Sequence, residues 1–214
     1  MPHGMKKVII FDFWGTLVEQ GVTSPIKQMK RMLGLEEMDY PSFVVQLEQV
    51  MMTRSFESLG EACELVCDAF SVEKKPALIE SMIGMWNKNW LLARPYDETK
   101  EMLEHFKKDY RLVLLANTDN FSVDRVLDKF ELRELFDELF LSYKEGMIKT
   151  DSRTYQLLMK KMHVTPKDCL AVGDSIESDM AAAHNASVKG VLIDRRNMRE
   201  FEPKITTLKE LTWN

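Results

Sequence analysis

Five short runs of the chain are apolar at every position: residues 8–11 (VIIF), 112–115 (LVLL), 139–141 (LFL), 170–172 (LAV) and 191–193 (VLI). Continuous rather than alternating apolar character suits strands covered on both faces, as in a parallel sheet. Amphipathic segments with helical spacing separate the last four runs: DETKEMLEHFKKDY, SVDRVLDKFELRELF and SRTYQLLMKKM. This alternation predicts an α/β fold, a doubly wound Rossmann-like parallel sheet. Between Leu17 and Pro95 the alternation stops, and only helical patterns remain: SPIKQMKRMLGL, SFVVQLEQVMM, LGEACELVCDAF and ALIESMIGMWNKNWLL. Pro41, Pro76 and Gly34 punctuate them. The pattern therefore predicts an α/β core from residues 1–19 plus 95–214 and a small helical domain from residues 20–94.

Ligands of open parallel sheets bind beyond the carboxyl ends of the strands. Chemistry is accordingly expected in the segments just past each predicted strand. After the first come Asp12, Gly15 and Thr16; after the second, Asn117, Thr118 and Asp119; after the third, SYKEGMIKTD with Lys149; after the fourth, Asp174, Ser175 and Asp179. A single aspartate after a strand is usually a turn former or a helix cap. Carboxylates, a lysine, an amide and hydroxyls gathered on one sheet edge suggest a site.

These segments resemble the four motifs of the haloacid dehalogenase superfamily, whose enzymes are mostly phosphatases. The first motif, an apolar strand followed by Asp-x-Asp-x-Thr, reads Asp12-Phe13-Trp14-Gly15-Thr16 here. The second reads Ala116-Asn117-Thr118, the third Gly146-Met147-Ile148-Lys149, and the fourth Gly173-Asp174 with Asp179 a little beyond. The helical segment after the first strand resembles the family's cap domain. The resemblance implies that Asp12 is a nucleophile forming an aspartyl-phosphate and that Lys149 balances its charge. It implies a magnesium ion held by Asp12, Asp174, Asp179 and the main-chain carbonyl of Trp14. Thr16, Asn117 and Thr118 would hold phosphate oxygens or order the loops, and the substrate would be a small phosphorylated metabolite.

Two positions depart from the pattern. Trp14 stands where family phosphatases carry the aspartate that protonates the leaving oxygen, an effect typically worth about 10²–10⁴-fold. This predicts a slow enzyme or one selective for good leaving groups, unless an acid from the cap or Glu19 replaces it. Ala116 stands where a Ser or Thr would bond the phosphate. An aromatic residue at position 14 also occurs in the family's dehalogenases, so a 2-haloacid dehalogenase-like hydrolase is the alternative; its halide-binding arginine is not identified in the cap, where Arg31 and Arg54 are no more than candidates. A catalytically impaired metal- or phosphate-binding module is a third reading. WNKNW (Trp86 to Trp90) and GVTSP are candidate substrate contacts in the cap, although packing of the tryptophans in the bundle explains them as well.

Composition narrows the field. Hydrophobic residues make up 45% and charged residues 29% of 214, enough to form a core and unlike a disordered chain. A formal net charge of -5 offers no basic footprint for nucleic acid. No apolar run approaches the roughly 18 residues of a membrane span, and MPHGMKK has no signal-peptide hydrophobic region. The three cysteines, Cys63, Cys67 and Cys169, do not form a disulfide framework and fit a reducing, cytoplasmic setting. A monomer or homodimer is expected.

Overall fold

A computed structural model describes residues 7–213; residues 1–6, with most of the MPHGMKK segment, and residue 214 lie outside it. The first apolar run forms strand β1 (Val8–Phe11), followed by a short strand β2 (Val18–Glu19). Four helices come next: α1 (Pro25–Met32), α2 (Tyr40–Met51), α3 (Leu59–Ala69) and α4 (Pro76–Leu92). Then come β3 (Arg94–Pro95), α5 (Thr99–Phe106), β4 (Arg111–Ala116), α6 (Val123–Lys129) and β5 (Glu138–Leu141). The chain continues through α7 (Ser142–Glu145), α8 (Ser152–Met162), β6 (Cys169–Gly173), α9 (Ala181–Asn185), β7 (Lys189–Ile193) and β8 (Lys204–Ile205).

All five runs expected to be strands are strands, in one parallel sheet of order β5-β4-β1-β6-β7-β8. Successive side chains of a strand point to opposite faces. Ile9, Phe11, Leu112 and Leu114 therefore pack with α5 and α6 on one face, against Leu103, Phe106, Val126 and Leu127. Val8, Ile10, Val113 and Leu115 pack on the other against Tyr155 and Leu158 of α8 and Ala183 of α9. Burial on both faces is why the runs are apolar throughout. At roughly 1.5–3 kcal/mol for each fully buried Ile, Leu or Phe, it outweighs an ordering cost of about 1–2 kcal/mol per residue.

The helices α1–α4 enclose a hydrophobic cluster of their own, including Met29, Phe43, Leu47, Met51, Ala62, Cys63, Val66, Met82 and Trp86. Pro41 and Pro76 lie in the first turns of α2 and α4, where a missing N–H is tolerated. The chain enters and leaves these helices through one antiparallel ribbon, with Val18 opposite Pro95 and Glu19 opposite Arg94. That ribbon and β8 were not anticipated; two-residue strands are too short to show a period. Cys63, Cys67 and Cys169 are buried free thiols. Among the described residues no helix is long and apolar enough to cross a membrane.

Candidate active site

The chain runs from β1 toward β4 and β5 on one side and later crosses to β6, β7 and β8 on the other. The order reverses between β1 and β6, the place where an open sheet forms a crevice. Asp12 and Asp174 are the first residues beyond these two strands. Asp12 keeps its main chain in the sheet, donating its N–H to the Val172 carbonyl at 2.9 Å, which leaves the side chain as the part directed to chemistry.

The Asp12 carboxylate is buried and has two fixed partners. Thr16 Oγ1 donates to Oδ2 at 2.8 Å, and Lys149 Nζ donates to Oδ1. Lys149, only 5% exposed, also donates to Asp179 Oδ1 at 2.8 Å. Asp179 is completed by the Ser175 N–H, 3.0 Å from its Oδ2. The Asp174 carboxylate accepts no hydrogen bond among the described residues. It packs so closely on Gly15 that a Cβ there would stand 2.4 Å from Asp174 Oδ2, and Gly15 adopts φ +83. Only glycine fits that turn.

Asp12, Asp174 and Asp179 each offer a carboxylate oxygen within 4.8 Å of the other two. Three acids thus face one ammonium. Burial pushes Asp174 up to about 8, with repulsion from Asp12 and Asp179 adding to it. Burial likewise raises Asp12 to about 6, against the pull of Lys149. Burial alone would favour a neutral lysine, yet Asp12 and Asp179 outweigh it and hold Lys149 protonated. Hard oxygen donors with residual mutual repulsion are the donor set a divalent cation such as magnesium requires.

Position 14 brings no acid. The half-buried Trp14 ring meets Phe13 edge-on at 4.9 Å between centroids and packs on the core.

Of the two expectations for the second motif, holding phosphate oxygens or ordering the loops, the hydrogen bonds present here serve the second. Asn117 Oδ1 accepts from the Lys149 main-chain N–H at 2.8 Å, and Asn117 Nδ2 donates to Glu48 Oε2 of α2 at 2.8 Å. The Thr118 N–H is taken by Ser142 Oγ at 2.9 Å, and its hydroxyl is buried without a partner. Asp119 turns away from the acids. Its Oδ1 accepts the N–H groups of Phe121 and Ser122 at 2.7 and 3.0 Å; its Oδ2 accepts Ser122 Oγ at 2.7 Å and Trp86 Nε1 of α4 at 2.9 Å. Asn120 makes a reciprocal pair with the Phe56 main chain, 3.1 Å each way. The loop after β4 is the seat of the helical segment.

Of the two tryptophans of α4, Trp86 is buried in the helical cluster and anchored to Asp119. Trp90 is half-buried, with the Arg125 guanidinium 4.7 Å from its ring centroid. Arg54 is exposed beside Phe56, and Arg31 is exposed on α1.

Three neighbours of these side chains escaped the sequence. Arg195 bonds the Thr16 carbonyl and Glu98, and Arg199 bonds the Asp174 carbonyl; both come from a loop after β7 that shows no pattern. Glu48 is buried, and burial pushes it up to about 7 although Lys149 and the Asn117 amide pull it down. Its signal was available: an acid four residues from Val44 and from Met52 stands on an apolar helix face.

A model of the haloacid dehalogenase-like hydrolases matches residues 6–187. The glyceraldehyde 3-phosphate phosphatase of Methanothermobacter thermautotrophicus is 28% identical over 89% of this chain and 86% of its own length. A HAD family enzyme of Bacteroides thetaiotaomicron, solved in complex with magnesium and inorganic phosphate, superposes with a TM-score of 0.60 at 15% identity over 92% of this chain and 98% of its own. A 2-haloacid dehalogenase of Pseudomonas syringae superposes with a TM-score of 0.62 at 17% identity over 96% of both chains. At such identities the two structures speak for the fold alone.

Proposed function

The chain belongs to the haloacid dehalogenase-like hydrolases, and from that premise we propose that it is a magnesium-dependent phosphatase acting on a small phosphorylated metabolite through an aspartyl-phosphate on Asp12. The observation that carries this reading is the buried Lys149–Asp12 pair at the sheet's reversal point, with Asp174 beside it.

Asp12 attacks phosphorus. Thr16 and Lys149 hold its two oxygens, so the carboxylate is oriented before substrate arrives. Lys149 also lies where negative charge accumulates as the phosphoryl group transfers. Asp12 and Asp174, with the Trp14 carbonyl that the family resemblance adds, would hold the magnesium. When bound, the ion neutralises charge between carboxylate and phosphate and makes the approach of two anions feasible. The fit rests on Asp174, a half-buried carboxylate with no other hydrogen-bond partner among the described residues. Asp179, with both oxygens occupied by Lys149 and the Ser175 N–H, orients the lysine and adds charge to the metal's surroundings.

Thr16 and Asn117 act as ordering groups, because their side chains are already engaged; Thr118, whose hydroxyl is buried, orders the loop through its main-chain bonds to Ser142. Residues 20–94 form the cap that covers the site and the rest of the chain forms the core. The relative that spans most of this chain acts, by its name, on a phosphorylated triose, which supports a phosphometabolite of that size.

The aromatic residue at position 14 favours a second reading, dehalogenation at carbon. Asp174 weighs against it, since a further carboxylate beside Asp12 with no cation is electrostatically costly. Hydrolysis of p-nitrophenyl phosphate or acetyl phosphate with magnesium, lost in Asp12→Asn, is the expected result. Chloride release from a 2-chloroacid in the presence of a chelator would replace this reading with the dehalogenase. Magnesium binding without either activity would replace it with a binding module.

A further inference from the structure

We propose that Glu48, carried by the cap helix α2, is the proton donor to the leaving group in place of the acid absent at Trp14. This rests on the phosphatase reading and deepens it.

The placement is set by a chain of directional bonds. A main-chain N–H can only donate, so the Lys149 N–H fixes Asn117 Oδ1 toward itself. The Asn117 amide nitrogen must then face the other way, and it meets Glu48 Oε2 at 2.8 Å. Glu48 is thereby tied through one residue to the lysine that holds Asp12. Only Oε2 is engaged; Oε1 accepts no hydrogen bond among the described residues and is the atom free to carry a proton.

The surroundings favour a neutral acid. Glu48 is buried on the apolar face of α2 beside Leu47 and Met51. The charged groups that face it are Lys149, Asp179 and Asp12 from the core, and Tyr40 from its own helix. Lys149 favours the anion, and the two aspartates together with burial favour the protonated form. The outcome lies near neutrality, where a general acid is most effective. Glu48 is also near enough to feel the charges of Lys149, Asp179 and Asp12 across the boundary between α2 and the sheet edge.

In the first half of the reaction an Asp12 oxygen forms a bond to phosphorus while the bond from phosphorus to the ester oxygen breaks. The electron pair of the broken bond goes to that oxygen, which takes the proton from Glu48 Oε1. An alcohol, the aspartyl-phosphate and a Glu48 carboxylate result. In the second half water attacks phosphorus, the bond to Asp12 breaks, phosphate leaves as the dihydrogen anion carrying both protons of the water, and Glu48 takes one of them back through solvent.

The test compares wild type with Glu48→Gln on p-nitrophenyl phosphate and on a panel of alkyl phosphates, with magnesium. Glutamine keeps an oxygen for the Asn117 amide but has no proton to give. The ratio of alkyl-ester to aryl-ester turnover is expected to fall by about 10²-fold or more in the variant, because only the alkoxide needs the proton. Wild-type turnover of alkyl esters is expected to decline as pH rises through the neutral range, and the variant to lose that decline. A cooperative transition in a calorimetric scan reports that the variant is folded. An unchanged ratio, an equal loss on both substrates, or a wild type that cleaves only the aryl ester would each overturn the role of Glu48 and leave the phosphatase reading standing. A wild type inactive on every phosphate would instead overturn the phosphatase reading itself.

Discussion

The loop after β1 and the loop after β4 leave neighbouring strands at one sheet edge, and both look in sequence like short polar runs, DFWGT and NTDNF. The first turns its polar groups inward. Asp12 accepts from Thr16 and from Lys149, and Gly15 makes room for Asp174. The second turns outward: Asn117, Asp119 and Asn120 bond Glu48, Trp86 and the Phe56 main chain, all from the helical segment. One loop concentrates unbalanced charge; the other spends its hydrogen bonds on docking. A polar residue at a strand end is thus no sign of chemistry until its partners are known. Satisfied polar groups mark structure, and crowded, partly unsatisfied acids mark a reactive site.

The contrast breaks if the first loop is replaceable. Asp12→Asn is expected to lower p-nitrophenyl phosphate turnover by about 10⁴-fold or more, equivalent to about 5.5 kcal/mol in the barrier. A calorimetric scan should still show a folded protein. Residual turnover within tenfold of wild type would move the nucleophile elsewhere.

In the second loop the large effect should fall on stability. Asp119→Ala removes the acceptor of four hydrogen bonds, from Phe121, Ser122 twice and Trp86. Three of the four donors left behind are buried, and the expected loss in urea unfolding is about 3 kcal/mol. Preparations that remain folded should retain p-nitrophenyl phosphate turnover far better than Asp12→Asn. An inactive but fully stable Asp119→Ala would place that loop in the chemistry.

Glu48 and Asn117 are where the two uses meet, and pH separates them. Glu48 holds its proton up to about 7 in the folded chain and releases it near its ordinary 4.5 when unfolded. Between those values the folded state binds more protons, so this group's contribution to stability is present at low pH and fades as pH rises toward 7. Asp12 and Asp174 act in the same direction but are common to both proteins. With a chelator present, Glu48→Gln should therefore gain on wild type from pH 5 to pH 8, by about 2 kcal/mol. A difference that stays flat with pH would mean that Glu48 is charged in the folded protein.

Much of this was legible in the chain. The strands were, because burial on both faces forces unbroken apolar runs. The Asp12, Lys149 and Asp174 grouping was, because parallel strands bring their ends to one edge. The use of Asn117, Asp119 and Asn120 was not, because their partners, Glu48, Trp86 and the Phe56 main chain, lie 33 to 69 residues away in helices whose docking leaves no local period. The arginines at 195 and 199 were hidden for the same reason: they bond main-chain carbonyls, and carbonyls carry no sequence signal.

The finest probe of the docking loop is Trp86→Phe. The indole donates one hydrogen bond to Asp119 Oδ2, and that oxygen keeps Ser122 Oγ while Oδ1 keeps its two N–H donors. Losing the N–H leaves no charge stranded, and phenylalanine preserves most of the buried ring within the helical cluster. The expected cost is about 1 kcal/mol, a smaller loss than for Asp119→Ala. Because the bond joins α4 to the core, loosening it should raise KM for a cap-covered substrate more than it lowers kcat. A fall in kcat with KM unchanged would show instead that the Trp86–Asp119 bond positions the reacting groups, and the division between a reactive loop and a docking loop would no longer hold.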